Sequence, residues 1–247
     1  MDSKAEQQAS ATEQQAPAIS VRQVRRVYGD GVQAITALDE INLQIPTGRF
    51  VAIKGRSGSG KTTLLNCIGG LDQPTEGTVY VHEQPVHLLD DEAATAWRQK
   101  EVGFVFQSFG LLPTLSAYEN VELMLRIAGY PRRQRRQRAL ECLRLVGLER
   151  WMHHRPYELS GGQQQRIAIA RAIANQPKVI LADEATGELD SETAREILSL
   201  LQRIARDEGV TVLLASHDSL VDQYVDEVLH LVDGRIQYQN GQAVVAH

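Results

Sequence analysis

The chain has 247 residues, 43% hydrophobic and 23% charged, with a net charge of −5 at pH 7. That length suits one large domain, or one domain with an insertion, and a core that needs no staples. The composition excludes collagen-like and wholly disordered chains. The acidic balance argues against whole-chain attraction to nucleic acid, and no apolar run reaches the ~18–20 residues that cross a bilayer.

Residues 1–18 are rich in Gln, Ala, Ser and Glu, which predicts a disordered tail ahead of a domain over 19–247. The opening residues lack the apolar stretch of a secretory signal. Strands are predicted over 19–27 and 35–45, with Ile41, Leu43 and Ile45 alternating in the second. Pro46-Thr47-Gly48 reads as a turn. A short apolar strand over 50–54 runs into a glycine-rich loop, and a helix over 61–68 follows, stopped by Gly69-Gly70. A strand over 78–81 comes next. From about 88 to 166 the pattern is mostly helical, with helices over 90–100, 116–128 and 132–146 and one strand-like run over 102–106. Alternation then resumes with a strand over 179–183, a helix over 192–206, a strand over 210–215, a short helix and a strand over 225–232. Asp233-Gly234 is a hairpin signal leading into 235–238. The organisation is an α/β core carrying a mostly helical subdomain. Cys67 and Cys142 fit a reducing compartment, form no metal-ligand spacing and read as small core residues.

Three segments carry chemistry. Gly55-Arg56-Ser57-Gly58-Ser59-Gly60-Lys61-Thr62 has the form G-x-x-x-x-G-K-T between a predicted strand and a predicted helix. Its glycines let successive N–H groups face one anion, and the helix start adds positive potential. Lys61 would reach the β- and γ-phosphates of a nucleotide, the Thr62 hydroxyl would ligate Mg2+, and Thr63 is a further nucleotide-binding candidate. The plain alternative is a Gly/Ser turn with an incidental lysine, and the strand–loop–helix context argues against it. The buried-type strand over 179–183 runs into Asp183-Glu184, two carboxylates at a crevice where ligands bind. Asp183 would hold Mg2+. Side-chain alternation sends Glu184 to the other side of the strand, free to orient and deprotonate a water. Leu159-Ser160-Gly161-Gly162-Gln163 precedes a helix predicted over 164–174, with Ile167, Ala170 and Ala174 on one face. A serine hydroxyl, glycine amides and a helix start make a second anion site. Two such sites with the chemistry for one nucleotide suggest a head-to-tail pair of chains.

In this order, over about residues 19–239, these segments resemble those of ATP-binding cassette (ABC) ATPases. The resemblance implies a P-loop NTPase core with an antiparallel β subdomain and an inserted α-helical subdomain at about 88–166. It implies ATP and Mg2+ as cofactors, with Lys61, Glu184 and His217 as catalytic residues. Tyr28 would stack on adenine, Gln107 would contact Mg2+ and sense a transmembrane partner, and His217 would contact the γ-phosphate. Asp190, after Leu189, would lie in a loop crossing the dimer interface. Ser160, Gly161, Gly162 and Gln163 would close on the nucleotide held by a second copy.

Residues 109–115, 119–122 and 182–190 resemble a narrower group, the bacterial lipoprotein-releasing, macrolide-export and cell-division ATPases. In that group the ATPase is usually a separate chain on the cytoplasmic face of the inner membrane. Its partners there are an integral-membrane permease and, by extension, an extracytoplasmic adaptor. Ala185 stands where that group usually has Pro and Glu188 where Asn is common; neither change removes a group that does chemistry. Two other readings remain at this level. One is an ATPase regulating a periplasmic cell-wall hydrolase through a membrane partner; the other is a soluble ABC ATPase outside transport. The dense basic run over 132–138 reads as a solvated helix face, with anionic lipid headgroups as the alternative. No interleaved aromatics support nucleic acid there. His153-His154 reads as structural.

Overall fold

The computed structural model describes residues 16–239, 242 and 243, so most of the predicted tail, residues 1–15, lies outside the described residues. Ala18, placed in that tail by composition, is fully buried, and its carbonyl accepts a hydrogen bond from the His82 N–H.

Strand β1 (Ile19–Tyr28) pairs antiparallel with β2 (Ile35–Ile45). On its other edge it pairs with β4 (Glu76–Val81), and β5 (Gln84–Pro85) completes a sheet of order β2-β1-β4-β5. Ile41, Leu43 and Ile45 of β2 all point inward, as their alternation requires.

The central sheet has the order β10-β9-β3-β8-β7-β6. Its parallel strands are β9 (Glu227–Val232), β3 (Phe50–Lys54), β8 (Thr211–Ser216), β7 (Val179–Asp183) and β6 (Val102–Val105), and β10 (Arg235–Ile236) closes one edge antiparallel. Strands β3, β7 and β8 are continuous apolar runs because both faces are covered. Successive residues feed two different cores. Phe50, Ala52, Ile180, Ala182, Val212 and Leu214 pack with α3 (Ala117–Ile127), α4 (Arg132–Leu145), α5 (Gly161–Ala172) and α6 (Ser191–Glu208). Val51, Ile53, Leu181, Leu213 and Ala215 pack with α1 (Lys61–Ile68) and the antiparallel sheet. Each large apolar side chain fully buried in these layers contributes roughly 1.5–3 kcal/mol. Cys67 sits in the second core and Cys142 in the first. Burial pushes their thiols up, to about 12 and about 11.

The mostly helical stretch over 88–166 is not one inserted block. Within it β6 joins the central sheet beside β7, and α2 (Asp91–Glu101) lays Trp97 against the second core. Helices α3 and α4 pack on each other and on α5. Capping sets their starts. The Asp90 carboxylate accepts from the Ala93 N–H, and Ser116 and Glu119 form a reciprocal capping box. Helix α5 begins three residues before its predicted start, because Ser160 and Gln163 form a second capping box that carries two glycines into the first turn.

Asn120 of α3 is almost wholly buried and holds the loop before its helix. Its Oδ1 accepts from the Leu112 N–H at 2.8 Å, while its Nδ2 reaches the carbonyls of Leu112, Leu115 and Ser116. Replacing it with Ala strips those groups of partners and should cost about 2–3 kcal/mol. Denaturant unfolding would measure the loss, and amide exchange should rise selectively over residues 112–116.

Candidate functional site

The carboxyl ends of the parallel strands converge at one crevice, since Lys54 pairs with Ser216 and Asp183 with Ala215. Between β3 and α1 the chain folds into the glycine loop, with φ of +80° at Gly58 and +103° at Gly60. A Cβ on Gly55 would lie 2.3 Å from the Leu231 carbonyl oxygen, and one on Gly60 would lie 2.4 Å from that of Ala37. The backbones of β9 and β2 therefore exclude any side chain at these two positions. Gly58 faces open space, and Ser57 beside it is exposed.

Lys61 is buried in the crook of this loop. Its Nζ donates to the carbonyls of Gly55 at 2.9 Å and Arg56 at 3.2 Å, and lies 3.7 Å from Glu184 Oε1. Ser59 Oγ is buried beneath the loop without a partner. At the start of α1 the Thr62 hydroxyl donates to Asp183 Oδ2 at 2.7 Å, and Thr63 follows, half-buried. The other oxygen, Asp183 Oδ1, is buried and unpartnered. Burial and the Glu184 charge push the Asp183 carboxyl up, against the opposing pull of Thr62 and Lys61. An orphaned carboxylate oxygen beside a hydroxyl is a donor set suited to a hard divalent cation that keeps most of its ligands as water and phosphate. Among the described residues no cluster of three His, Cys, Asp or Glu forms an all-protein metal cage.

Glu184 corrects one expectation. Strand β7 ends at Asp183, and Glu184 adopts a left-handed backbone with φ of +48°, its N–H bonded to the Ala215 carbonyl. Its direction comes from this turn and not from pleat alternation. A non-glycine residue held there stores about 1–2 kcal/mol of strain. The turn brings Glu184 Oε1 to 3.3 Å from Nδ1 of His217, which is largely exposed after β8. His217 lines both the concavity beside the glycine loop, about 640 Å³, and the one beside Glu184, about 330 Å³. Gln107 follows the end of β6 and reaches neither Thr62 nor Asp183 by a hydrogen bond. Its amide nitrogen is 3.4 Å from where Gly187 would carry a Cβ, the position Glu184 Oε2 approaches to 3.5 Å.

Other expected residues sit apart. Ser160, Gly161, Gly162 and Gln163 form the first turn of α5, and among the described residues no hydrogen bond or ion pair joins them to the glycine loop. A Cβ on Gly161 would touch Leu189, and one on Gly162 would lie 2.3 Å from Thr193 Cγ2. Asp190 spends its carboxylate on the start of α6, accepting from the N–H groups of Glu192 and Thr193 and from the Thr193 hydroxyl.

Tyr28 is held from two sides by residues that no spacing pointed to. Its hydroxyl donates to Asp72 Oδ2 at 2.5 Å, and the Arg26 guanidinium lies 4.3 Å from the ring centroid. Asp72 also pairs with Arg26 at 2.7 Å. Burial raises the Asp72 carboxyl, but the hydrogen bonds from Tyr28, Arg26 and the Gln73 N–H outweigh it and leave the group below the usual range. Arg171 of α5 was equally invisible. It donates to the carbonyls of Phe109 and Gly110 and so ties the segment after Gln107 to the helix that begins at Gly161.

A parallel strand that hands its chain through such a loop into a helix, with a lysine set in the bend, is the arrangement of P-loop nucleoside triphosphatases, and the fold and site define that class. Residues 38–187 match the family model described as ABC transporter. The chain belongs to the ABC transporter family, as an ATP-binding cassette with ATPase activity. It is 48% identical over 223 residues to the uncharacterized ABC transporter ATP-binding protein MJ0796 of Methanocaldococcus jannaschii, across 89% of this chain and 95% of that protein. It is 44% identical over 228 residues to the macrolide export ATP-binding/permease protein MacB of Escherichia coli, across 92% of this chain but 35% of that protein. The chain thus spans about a third of the length of the macrolide export relatives. The solved dimeric MJ0796 cassette in a post-hydrolysis state, bound to ADP and Pi, superposes with a TM-score of 0.83 at 44% identity, over 93% of this chain and 100% of that one.

The contact between Gly162 and Thr193 is specific enough to test. Gly162→Ala should destabilise the fold by about 1–3 kcal/mol, because the β-branched Thr193 cannot swing its methyl away. Thr193→Ser in the same chain removes that methyl, keeps the hydroxyl bonded to Asp190, and should restore most of the loss in thermal unfolding.

Proposed function

We propose that two copies of this chain close head to tail around two Mg2+-ATP and that closing and opening drive a membrane permease, in export or in force transmission across the membrane. The observation that carries this reading is the separation, within one chain, of the glycine loop from the first turn of α5. Each is built for an anion, and they do not meet, so a second copy is needed to bring Ser160, Gly161, Gly162 and Gln163 onto the phosphates held by the first. The dimeric cassette described for MJ0796 and the joined permease in the MacB name support the reading. It puts the chain at the cytoplasmic face of the membrane, against a permease, with an extracytoplasmic adaptor beyond it. Among the described residues no helix is long and apolar enough to cross a membrane.

In this assignment the amides of Gly55, Ser57, Gly58, Ser59 and Gly60 and the Lys61 ammonium hold the β- and γ-phosphates, and Thr63 borders the α-phosphate. Thr62, Asp183 through its unpartnered oxygen, and Gln107 would hold Mg2+, which when bound would supply neutralisation of charge developing on the phosphate oxygens. Glu184 accepts a proton from the attacking water. His217 contacts the γ-phosphate and steadies Glu184 through their 3.3 Å contact. Asp190 faces the second copy while capping α6. Tyr28 offers the adenine the ring face opposite Arg26. A cation on one face draws electron density from the ring and strengthens stacking on the other.

Glu184→Gln should bind ATP and form a stable dimer on size-exclusion chromatography, with turnover lowered by about 10²–10⁴-fold. Recovered with ATP from solubilised membranes, it should bring down a permease; recovery of soluble partners alone would defeat the transport reading. Asp72→Ala removes the acceptor and should release Tyr28 and Arg26, raising KM for ATP by about 2–10-fold with kcat within twofold, as steady-state kinetics would register.

A further inference from the structure

A concavity of about 1130 Å³ lies between α3 and α4, away from the nucleotide crevice. Leu115, Tyr118, Leu140 and Met152 line it, and its rim is basic. The run that opens α4 divides by partner. Arg135 pairs with Glu122 at 2.5 Å, Arg138 donates to the carbonyls of Ile173 and Ala174 that end α5, and further along α4 Arg144 pairs with Glu149. These are structural contacts. Arg126, Arg132, Arg133 and Arg136 are exposed and, among the described residues, have no ion pair. The two rim carboxylates offset this charge only in part, Glu119 through its attraction to Arg126. Glu122 is taken by Arg135, and Glu119 accepts from the Ser116 N–H in its capping box. The first turn of α4 holds no acid, so its helix dipole adds to the same positive field.

Arg132, Arg133 and Arg136, exposed and without an ion pair among the described residues, stand beside Arg126 on one rim of a chain whose net charge is −5. Mutual repulsion makes the cluster unfavourable without an anionic partner. A guanidinium presents a planar fork that matches phosphate oxygens two at a time. At the same edge Ile127, which follows Arg126 at the end of α3, is half-exposed. Phosphates beside an apolar layer are the chemistry of an anionic bilayer surface. An acidic protein segment would account for the arginines but not for the exposed isoleucine.

We propose that the α3–α4 edge docks on anionic phospholipid headgroups, with Arg126, Arg132, Arg133 and Arg136 taking the phosphates and Ile127 entering the interface. The inference rests on the proposed function only for the nearness of a membrane; the docking belongs to the chain itself.

The test is sedimentation of the purified full chain, without ATP, with phosphatidylcholine vesicles and with vesicles that also contain phosphatidylglycerol. The chain should pellet with the second kind only, and rising salt should release it. At about fivefold per arginine, the triple variant Arg132→Gln, Arg133→Gln, Arg136→Gln should bind roughly 100-fold more weakly. Its ATP hydrolysis should be unchanged, because none of the three belongs to the nucleotide site. The corresponding triple lysine variant keeps the charge and should keep vesicle binding, which separates lost charge from lost fold. Absence of binding, equal binding to both vesicle types, or full binding by the glutamine variant would overturn the proposal. So would capture by the purified permease in lipid-free detergent that the glutamine variant alone loses, since that assigns the rim to a protein partner. Vesicle binding is read without nucleotide or permease, so its failure and failure of the transport reading are distinguishable.

Discussion

The site depends on the parallel register of the central sheet. Because β3, β7 and β8 run the same way and are paired residue for residue, their carboxyl ends stop along one line. The glycine loop, the carboxylates at the end of β7 and the histidine after β8 come together as a result of that register, though Thr62 and Asp183 are 121 residues apart in sequence and Glu184 and His217 a further 33. A slip of one residue in β7 would turn Asp183 away from Thr62 and move apolar residues between the two cores. Both cores oppose it, since the alternate residues of all three strands are committed to opposite sides. The packing that stabilises the fold is thus also what aims the catalytic groups.

A second constraint works at the starts of helices. Ser160 with Gln163 and Asp190 with Thr193 each satisfy the first amides of a helix, and Gly162 lies against Thr193, so α5 and α6 are locked together at their N-terminal ends. Arg171, one face further along α5, grips the carbonyls after Gln107. Displacement of α5 therefore carries with it both the turn that follows Glu184 and the segment that follows β6. The residues expected to meet a second copy are joined mechanically to those nearest the reaction.

The sequence is most readable where the information is contiguous. The glycine loop, the apolar strands over 50–54 and 179–183 and the helix over 61–68 are written in neighbouring residues, and the structure has them at those positions. Reading fails where pairing is remote or where two local rules compete. Tyr28 and Asp72 are 44 residues apart, and nothing in either neighbourhood announces the pair. Glycine counts against helix in any propensity scale, so Gly161 and Gly162 hid a start that the capping box imposed. The pleat rule failed at Glu184 because the strand had already ended and a left-handed turn replaced it. Ala18 lay in a stretch whose average composition said tail, while its own small side chain fitted the core.

The two cysteines have a further consequence. Both are buried among apolar side chains, and their thiols are held far from the pH at which thiolate forms. Alkylating reagents and thiol oxidants act on the thiolate, so the two native thiols present them with almost no target. A cysteine placed on any exposed helix face would then be the one reactive thiol per copy. Spin or fluorescence labels put there would report distances between copies without removing a native residue, and the core would need no re-engineering to receive them.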